Sequence, residues 1–212
     1  MTALIVILSI LVVLVLWQLL FRIGRRYIKF PAPSFITLFL DSNFRKSTQP
    51  PARIVADSGI KPGMKILEVG CGSGAFTIAA ARAAGEGGKV YALDIQEDML
   101  NKLRARLARP ENSGVRNIEI IQRSAYELPF EDNSLDLVFM VTVLQEIPDK
   151  PRALREIKRV LKPSGILAVS EYLVDPDYPW RSTTERMVKA GGFELDGFAG
   201  SIWSYTIRFR KP

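Results

Sequence analysis

Histidine is absent from the 212 residues, and cysteine occurs once, at Cys71. The first absence excludes every mechanism that needs an imidazole, whether as base, nucleophile or metal ligand. The second excludes an internal disulfide and matches a reducing compartment. No metal site is expected from what remains. The chain also lacks internal repeats and low-complexity linkers, so it reads as one ordinary domain with a short appendage. Acidic residues are scarce at the front. Residues 1–50 hold six cations (Arg22, Arg25, Arg26, Lys29, Arg45, Lys46) against Asp41 alone, while the rest carries 23 cations and 21 anions. The net charge of +7 therefore belongs mostly to one short region, which points to anionic headgroups and away from a nucleic-acid partner.

Charge is missing altogether from Ala3 to Phe21, ALIVILSILVVLVLWQLLF. As a helix this run is about 28 Å long, close to the hydrocarbon thickness of a bilayer. A cleaved secretory signal is disfavoured, because no Lys or Arg precedes the run and no small-x-small site follows. Trp17, Phe21 and Tyr27 with Arg22, Arg25, Arg26 and Lys29 resemble an interfacial belt. The expectation is a single-pass anchor whose N-terminus crosses and whose catalytic part stays in the cytoplasm. This divides the chain into an anchor with basic collar (1–29), membrane-proximal helices (30–60) and a catalytic domain (61–212). Pro31-Ala32-Pro33 breaks the first helix, and Ser34 caps a short one carrying Phe35, Ile36, Leu38, Phe39 and Leu40. Those five residues fit a docking helix or a lipid-facing entrance equally well. Pro50-Pro51 opens a further helix through Ala56.

The catalytic part is organised around Lys65-Ile66-Leu67-Glu68-Val69-Gly70-Cys71-Gly72-Ser73-Gly74-Ala75-Phe76, an apolar strand, a glycine turn and a helix start. Glycines at Gly70, Gly72 and Gly74 let backbone N–H groups approach a ligand without a Cβ in the way. Glu68 places a carboxylate at the strand's C-terminal end, where ligands of open α/β sheets bind. Asp94 follows a second strand about twenty residues on, a spacing suited to gripping a ribose. Gly70-x-Gly72-x-x-Ala75 also fits a dinucleotide fingerprint, so the turn alone leaves nicotinamide and other adenosyl ligands open.

Apolar runs at 65–70, 88–94, 117–122, 135–141 and 165–171 alternate with helical patterns at 75–84, 96–108 and 150–161. That rhythm predicts a doubly wound α/β sheet, mostly parallel. Lys162-Pro163-Ser164-Gly165 reads as a turn before the fifth strand. A helix from Trp180 to Ala190 and a hairpin over Phe193–Gly200 and Trp203–Arg210 close the chain. The hairpin brings the sheet to seven strands and makes one antiparallel.

Over roughly residues 50–210 the chain resembles class I S-adenosylmethionine-dependent methyltransferases, in the branch around ubiquinone/menaquinone methyltransferases. The likeness is carried by Ile66–Gly74, Asp94, Leu128-Pro129-Phe130-Glu131-Asp132-Asn133-Ser134-Leu135-Asp136-Leu137-Val138 and Leu161-Lys162-Pro163-Ser164-Gly165. It implies a Rossmann-like methyltransferase fold, with S-adenosylmethionine as donor and S-adenosylhomocysteine as product. In the family the glycine loop holds the methionine part, Asp94's counterpart the ribose hydroxyls, and Ile95's counterpart lies against the adenine. The cofactor set implied is Glu68, Gly70, Cys71, Gly72, Gly74, Asp94, Ile95, Ser124, Ala125 and Val141. Two departures stand out. Ser124-Ala125 replaces the Asp-Ala that often contacts the adenine amino group, and Val143-Leu144-Gln145-Glu146-Ile147 replaces a run that commonly holds histidines.

Methyl transfer is an in-line displacement from an activated donor, so alignment and water exclusion supply much of the catalysis. Where a base is needed, Glu146, Glu171 and Tyr172 are the candidates by location. Asp175-Pro176-Asp177-Tyr178-Pro179-Trp180-Arg181 fits equally well a substrate-side loop, with Gln145, Tyr178 and Trp180 as acceptor contacts, or a rigid connector whose aromatics plug the core. An anchored enzyme favours an acceptor dissolved in the bilayer: a quinone, phospholipid headgroup, isoprenoid or lipophilic thiol. The competing readings are a protein methyltransferase, a nicotinamide-dependent reductase and a non-catalytic cofactor-binding subunit. The run Val141-Thr142-Val143-Leu144 lacks the Asn/Asp-Pro-Pro-aromatic signature of amino-adenine methylation. Oligomeric state is not legible.

Overall fold

A computed structural model describes residues 43–175 and 177–212, together with Ile5, Ser9, Val12, Val13, Leu16 and Leu20. Those six positions are helical, and the five aliphatic ones among them are exposed. The rest of the expected anchor, its collar from Arg22 to Lys29 and the short helix after Ser34 lie outside the described residues. Among the described residues no helix is long and apolar enough to cross a membrane.

Seven strands form one sheet: β1 (Lys65–Val69), β2 (Lys89–Asp94), β3 (Ile118–Gln122), β4 (Leu135–Val141), β5 (Leu161–Tyr172), β6 (Glu194–Gly200) and β7 (Ser204–Arg210). Their order is β3-β2-β1-β4-β5-β7-β6, with β1 to β5 parallel and β7 antiparallel to both neighbours. The helices are α1 (Asn43–Thr48), α2 (Pro51–Asp57), α3 (Thr77–Ala84), α4 (Glu97–Leu107), α5 (Lys150–Val160) and α6 (Arg181–Ala190). The strand order reverses between β1 and β4, so a crevice opens beyond their carboxyl ends.

Burial on both faces explains why the central strands read as near-continuous apolar runs. On one face Ile54, Val55, Phe76, Ala80 and Ala84 pack against Ile66, Val90, Leu137, Phe139 and Ala168. On the other, Leu154, Ile157, Val160, Val188 and Phe193 pack against Leu67, Val69, Val138, Met140 and Leu167. In α5 the side chain of Asp149 accepts from the Arg152 N–H at 3.0 Å, capping the helix. Arg159 on the same helix donates to the carbonyls of Leu128 (3.1 Å) and Phe130 (2.8 Å) and to Asp132 (2.7 Å). The Leu128–Ser134 run is thereby tied to α5, and its place among the family motifs is structural.

One local expectation changes. Leu135 pairs with Leu161 and Leu137 with Ile166, so Lys162–Gly165 bulge out within β5 instead of preceding it. Ser164 takes a left-handed φ of 61° there. Within the stretch expected as membrane-proximal helices (30–60), α1 and α2 are built onto the sheet. Ile54 and Val55 join the core, and Arg208 Nη1 donates to the Asp57 carbonyl at 2.7 Å.

Candidate active site

The three glycines of the turn after β1 all have positive φ (71°, 53° and 80°) and differ in what a Cβ would meet. A Cβ on Gly70 would stand 2.5 Å from Val143 Cγ2, and one on Gly74 would strike Leu103 of α4. A Cβ on Gly72 would meet nothing within 4 Å, because it would project into open space. Gly70 and Gly74 are thus packing glycines, and Gly72 is the one that leaves room for a ligand.

That room is a cavity of about 390 Å³ running from the carboxyl end of β2 to those of β4 and β5. Asp94 sits at one end, buried, accepting from the Gly72 N–H through Oδ2 (2.8 Å) and from the Gln96 N–H through Oδ1 (2.9 Å). Burial raises its pKa, opposed by the bonds from Gln96 and Gly72. The Ile95 N–H also acts on this carboxylate, which still has lone-pair capacity for a further donor, and a vicinal diol can supply one. Glu68 lies behind the turn, with the Thr77 hydroxyl donating to its Oε2 at 2.5 Å. Its pKa rises to about 8, chiefly through burial with the Asp94 charge adding, while the Thr77 bond works against both.

Of the cofactor set, Glu68, Gly70, Cys71, Gly72, Asp94, Ile95, Ser124, Ala125 and Val141 line the cavity. Gly74 does not; its role is the close approach of α4. Ile95 is exposed, an apolar face presented beside Asp94. The Ser124 hydroxyl accepts from the Tyr126 N–H at 3.3 Å and so shapes its own turn. Cys71 is buried, which pushes its thiol pKa up and makes it a packing residue.

The acceptor-side candidates divide. Glu146 and Tyr172 line the cavity, and the Tyr172 hydroxyl lies 2.6 Å from Thr48 Oγ1. Glu171, Gln145, Tyr178 and Trp180 do not line it. Period-two alternation along β5 turns Glu171 to the face opposite Tyr172. Glu171 is buried there, and among the described residues neither its Oε1 nor the buried Nε2 of Gln145 has a hydrogen-bond partner. Burial, then the charge of Asp175 with those of Glu146 and Asp177, holds the Glu171 pKa well above the carboxylate range. Trp180 projects into solvent.

Two polar cavity residues outside the candidate sets stand out. Arg45 does not behave as a collar charge. It is 5% exposed and donates to Thr142 Oγ1 (3.3 Å) and Gln49 Oε1 (3.1 Å). Its guanidinium lies 5.6 Å from the Phe76 ring centroid and 6.0 Å from that of Tyr172. Among the described residues it is the single cation lining the cavity, beside the carboxyl groups of Glu68, Asp94, Glu146 and Asp175. Thr142, directly after β4, has φ 56°, which is rare for a β-branched residue and marks stored strain at the site. No sequence signal marks either one.

Residues 60–199 match the family model described as a methyltransferase domain. The chain belongs to the methyltransferase-domain family. S-adenosylmethionine is the donor of this methyltransferase and S-adenosylhomocysteine the product left behind. The residues present fit that donor: a diol-matching carboxylate at Asp94, space over Gly72, and four carboxyl groups with one arginine for a molecule of net positive charge. When bound, it supplies a methyl group already activated on a sulfonium. Demethylmenaquinone methyltransferase of Staphylococcus aureus strain MRSA252 is 40% identical over 119 residues, 56% of this chain and 47% of that protein. The strain JH9 protein is 39% identical over the same length. The chain spans about half the length of the curated relatives it matches. A SAM-dependent methyltransferase from Aquifex aeolicus superposes with a TM-score of 0.78 at 24% identity, covering 86% of this chain and 100% of that one. The [4+2]-cyclase SpnF superposes with a TM-score of 0.67 at 18% identity, over 78% of this chain and 81% of that one. At those identities the likeness is one of fold, and a cyclase among them shows that the fold alone does not name the reaction.

Proposed function

We propose that this methyltransferase transfers its methyl group to a quinone-like acceptor that partitions into membranes. We propose also that residues 1–29 tether it there as a single-pass anchor, with the catalytic domain on the cytoplasmic side. The observation carrying this reading is the composition of the cavity above β4 and β5. There Phe76, Val143, Ile147, Pro148, Tyr172 and Val174 form an apolar surround for a flat ring, with Glu146 as a polar group among them. The curated relatives named for demethylmenaquinone support the same class. Family membership favours the methyl donor over a nicotinamide, and the exposed helical aliphatics at Ile5, Val12, Val13, Leu16 and Leu20 support the tether.

In this reading Asp94 and the glycine turn hold the donor, and Arg45 closes the site from α1. Glu146 receives the proton that a ring hydroxyl or carbon gives up. Lys150 keeps the Glu146 loop in place, since its Nζ donates to the carbonyls of Gln145 (3.1 Å) and Ile147 (2.7 Å). The test incubates full-length protein with methyl-labelled S-adenosylmethionine and a membrane lipid extract, supplemented or not with a demethylated naphthoquinol. Label on the quinone ring is the expected result. Label confined to phospholipid or protein would overturn the proposed acceptor.

A further inference from the structure

The exposed aromatic patch beside the cavity mouth has no part in binding the donor. Trp180 is 62% exposed, Ile202 54% and Trp203 64%. They belong to two segments, the loop after β5 and the β6–β7 turn, which are stitched together. Tyr178 Oη donates to the Ile202 carbonyl at 2.7 Å, and the Leu173 N–H to the Trp203 carbonyl at 2.8 Å. The Tyr178 ring stands edge-on to Trp180 at 6.1 Å, and Arg181 lies 4.5 Å over the Phe198 ring. The same loop sends Val174 and Asp175 into the cavity wall, so the patch forms part of the cavity's rim.

Position gives the patch its meaning. The β6–β7 turn lies at the edge of the sheet where β1, β2, β4 and β5 end, as does exposed Ile95 after β2. The opposite edge is charged and paired: Lys162 with Asp136, Arg210 with Asp196, and the Lys65 N–H donating to the Asp136 carboxylate. The chain also enters the fold at the apolar edge. The first 42 residues, with their uncharged run, lead directly into α1, which contributes Arg45 to the cavity and bonds Thr48 to Tyr172. Gln49 and Pro50, just after α1, border the same small crevice as Trp203.

We infer that this edge is a second, peripheral membrane contact: Trp180, Ile202 and Trp203 seat in the headgroup layer of a phospholipid bilayer and turn the cavity mouth toward it. Tryptophans with neighbouring arginine suit that layer, which is apolar on one side and wet on the other. Three exposed residues are far too few for a stable protein interface. Next to a tether already in the bilayer they need little affinity of their own, because the second contact is intramolecular. An acceptor dissolved in the bilayer then reaches Phe76 and Val143 without crossing bulk water. The inference rests on the proposed anchoring.

Tryptophan occurs only at 17, 180 and 203, which makes the test clean. Full-length Trp17→Phe protein is reconstituted in phosphatidylcholine/phosphatidylglycerol vesicles containing acyl-brominated lipid. Quenching and a blue shift of the remaining emission are expected, both reduced by Ile202→Asp without change in donor affinity. A Trp180→Phe/Trp203→Phe partner variant reports Trp17 alone. Quenching of Trp17 with unaltered emission from Trp180 and Trp203 overturns this inference and leaves the anchor standing. No quenching of either variant overturns the anchor and this inference with it.

Discussion

Replacing each turn glycine by alanine separates binding from folding, because the three positions differ in what a methyl group meets. All three force an L-residue into the left-handed region, which costs roughly 1–2 kcal/mol. At Gly72 that is the whole folding penalty, since the new Cβ faces open space. At Gly70 the methyl collides with Val143, and at Gly74 with Leu103, adding overpacking of about 1–3 kcal/mol. For a domain of this size, Gly72→Ala should lower Tm by about 2–8 °C and the other two by about 4–20 °C. Donor affinity should follow the reverse order, because only the Gly72 methyl occupies ligand space. A tenfold weaker Kd, about 1.4 kcal/mol, is the least expected there. Thermal melts and calorimetric titration with S-adenosylmethionine read the two scales. In a Gly74→Ala/Leu103→Ala double variant the losses should be less than additive, since one contact carries both. Gly72→Ala that binds the donor normally while melting as low as Gly74→Ala would refute the assignment of that open space to the ligand.

Three further outcomes follow from the electrostatics. Glu171 and Glu68 have pKa values raised by burial, so their contribution to stability is complete below the ordinary carboxylate range and lost as pH rises through the folded values, about 8 for Glu68. Tm of the wild type should therefore fall between pH 5 and pH 8, and Glu171→Gln should flatten that fall in melts across the range. Arg45→Met should weaken donor binding by about 10–100-fold, the scale of a hydrogen bond to a charged group. That loss should vanish when decarboxylated S-adenosylmethionine is titrated instead, if the arginine meets the donor's carboxylate. Asp94→Asn swaps one oxygen for an NH₂ that cannot accept from Gly72 or Gln96. It should lower both Tm and donor affinity, the stability part being about 1–3 kcal/mol, read by the same two assays.

How much of this was legible beforehand depended on whether a signal was local. Strand and helix positions and the closing hairpin follow from periodicity, and the glycine turn with its two acids, Glu68 and Asp94, from short-range spacing, while Ile95, Ser124, Ala125 and Val141 rest on the family resemblance alone. The differences between linear pattern and spatial position share a cause. Gly74 reads like Gly72 in a linear motif, yet only the approach of Leu103 from the next helix distinguishes them. Glu171 and Tyr172 are adjacent in sequence, but strand alternation sends one behind the sheet and the other into the cavity. Lys162–Gly165 reads as a turn, and the strand resumes its pairing beyond it, so a bulge and a turn have one sequence signature. Arg45 is the instructive case. Counted by position it is one more cation near an apolar run, and nothing within ten residues says otherwise. Its partners Phe76, Thr142 and Tyr172 lie about 30 to 130 residues away, and Thr142 carries a backbone conformation that no sequence rule assigns to threonine. A residue that closes a site from outside the main motif is visible only once the sheet has brought those three together. The segment joining the proposed anchor to the fold therefore carries a functional group as well as a tether. Substitutions in 43–50 should consequently disturb donor binding even when membrane attachment is intact.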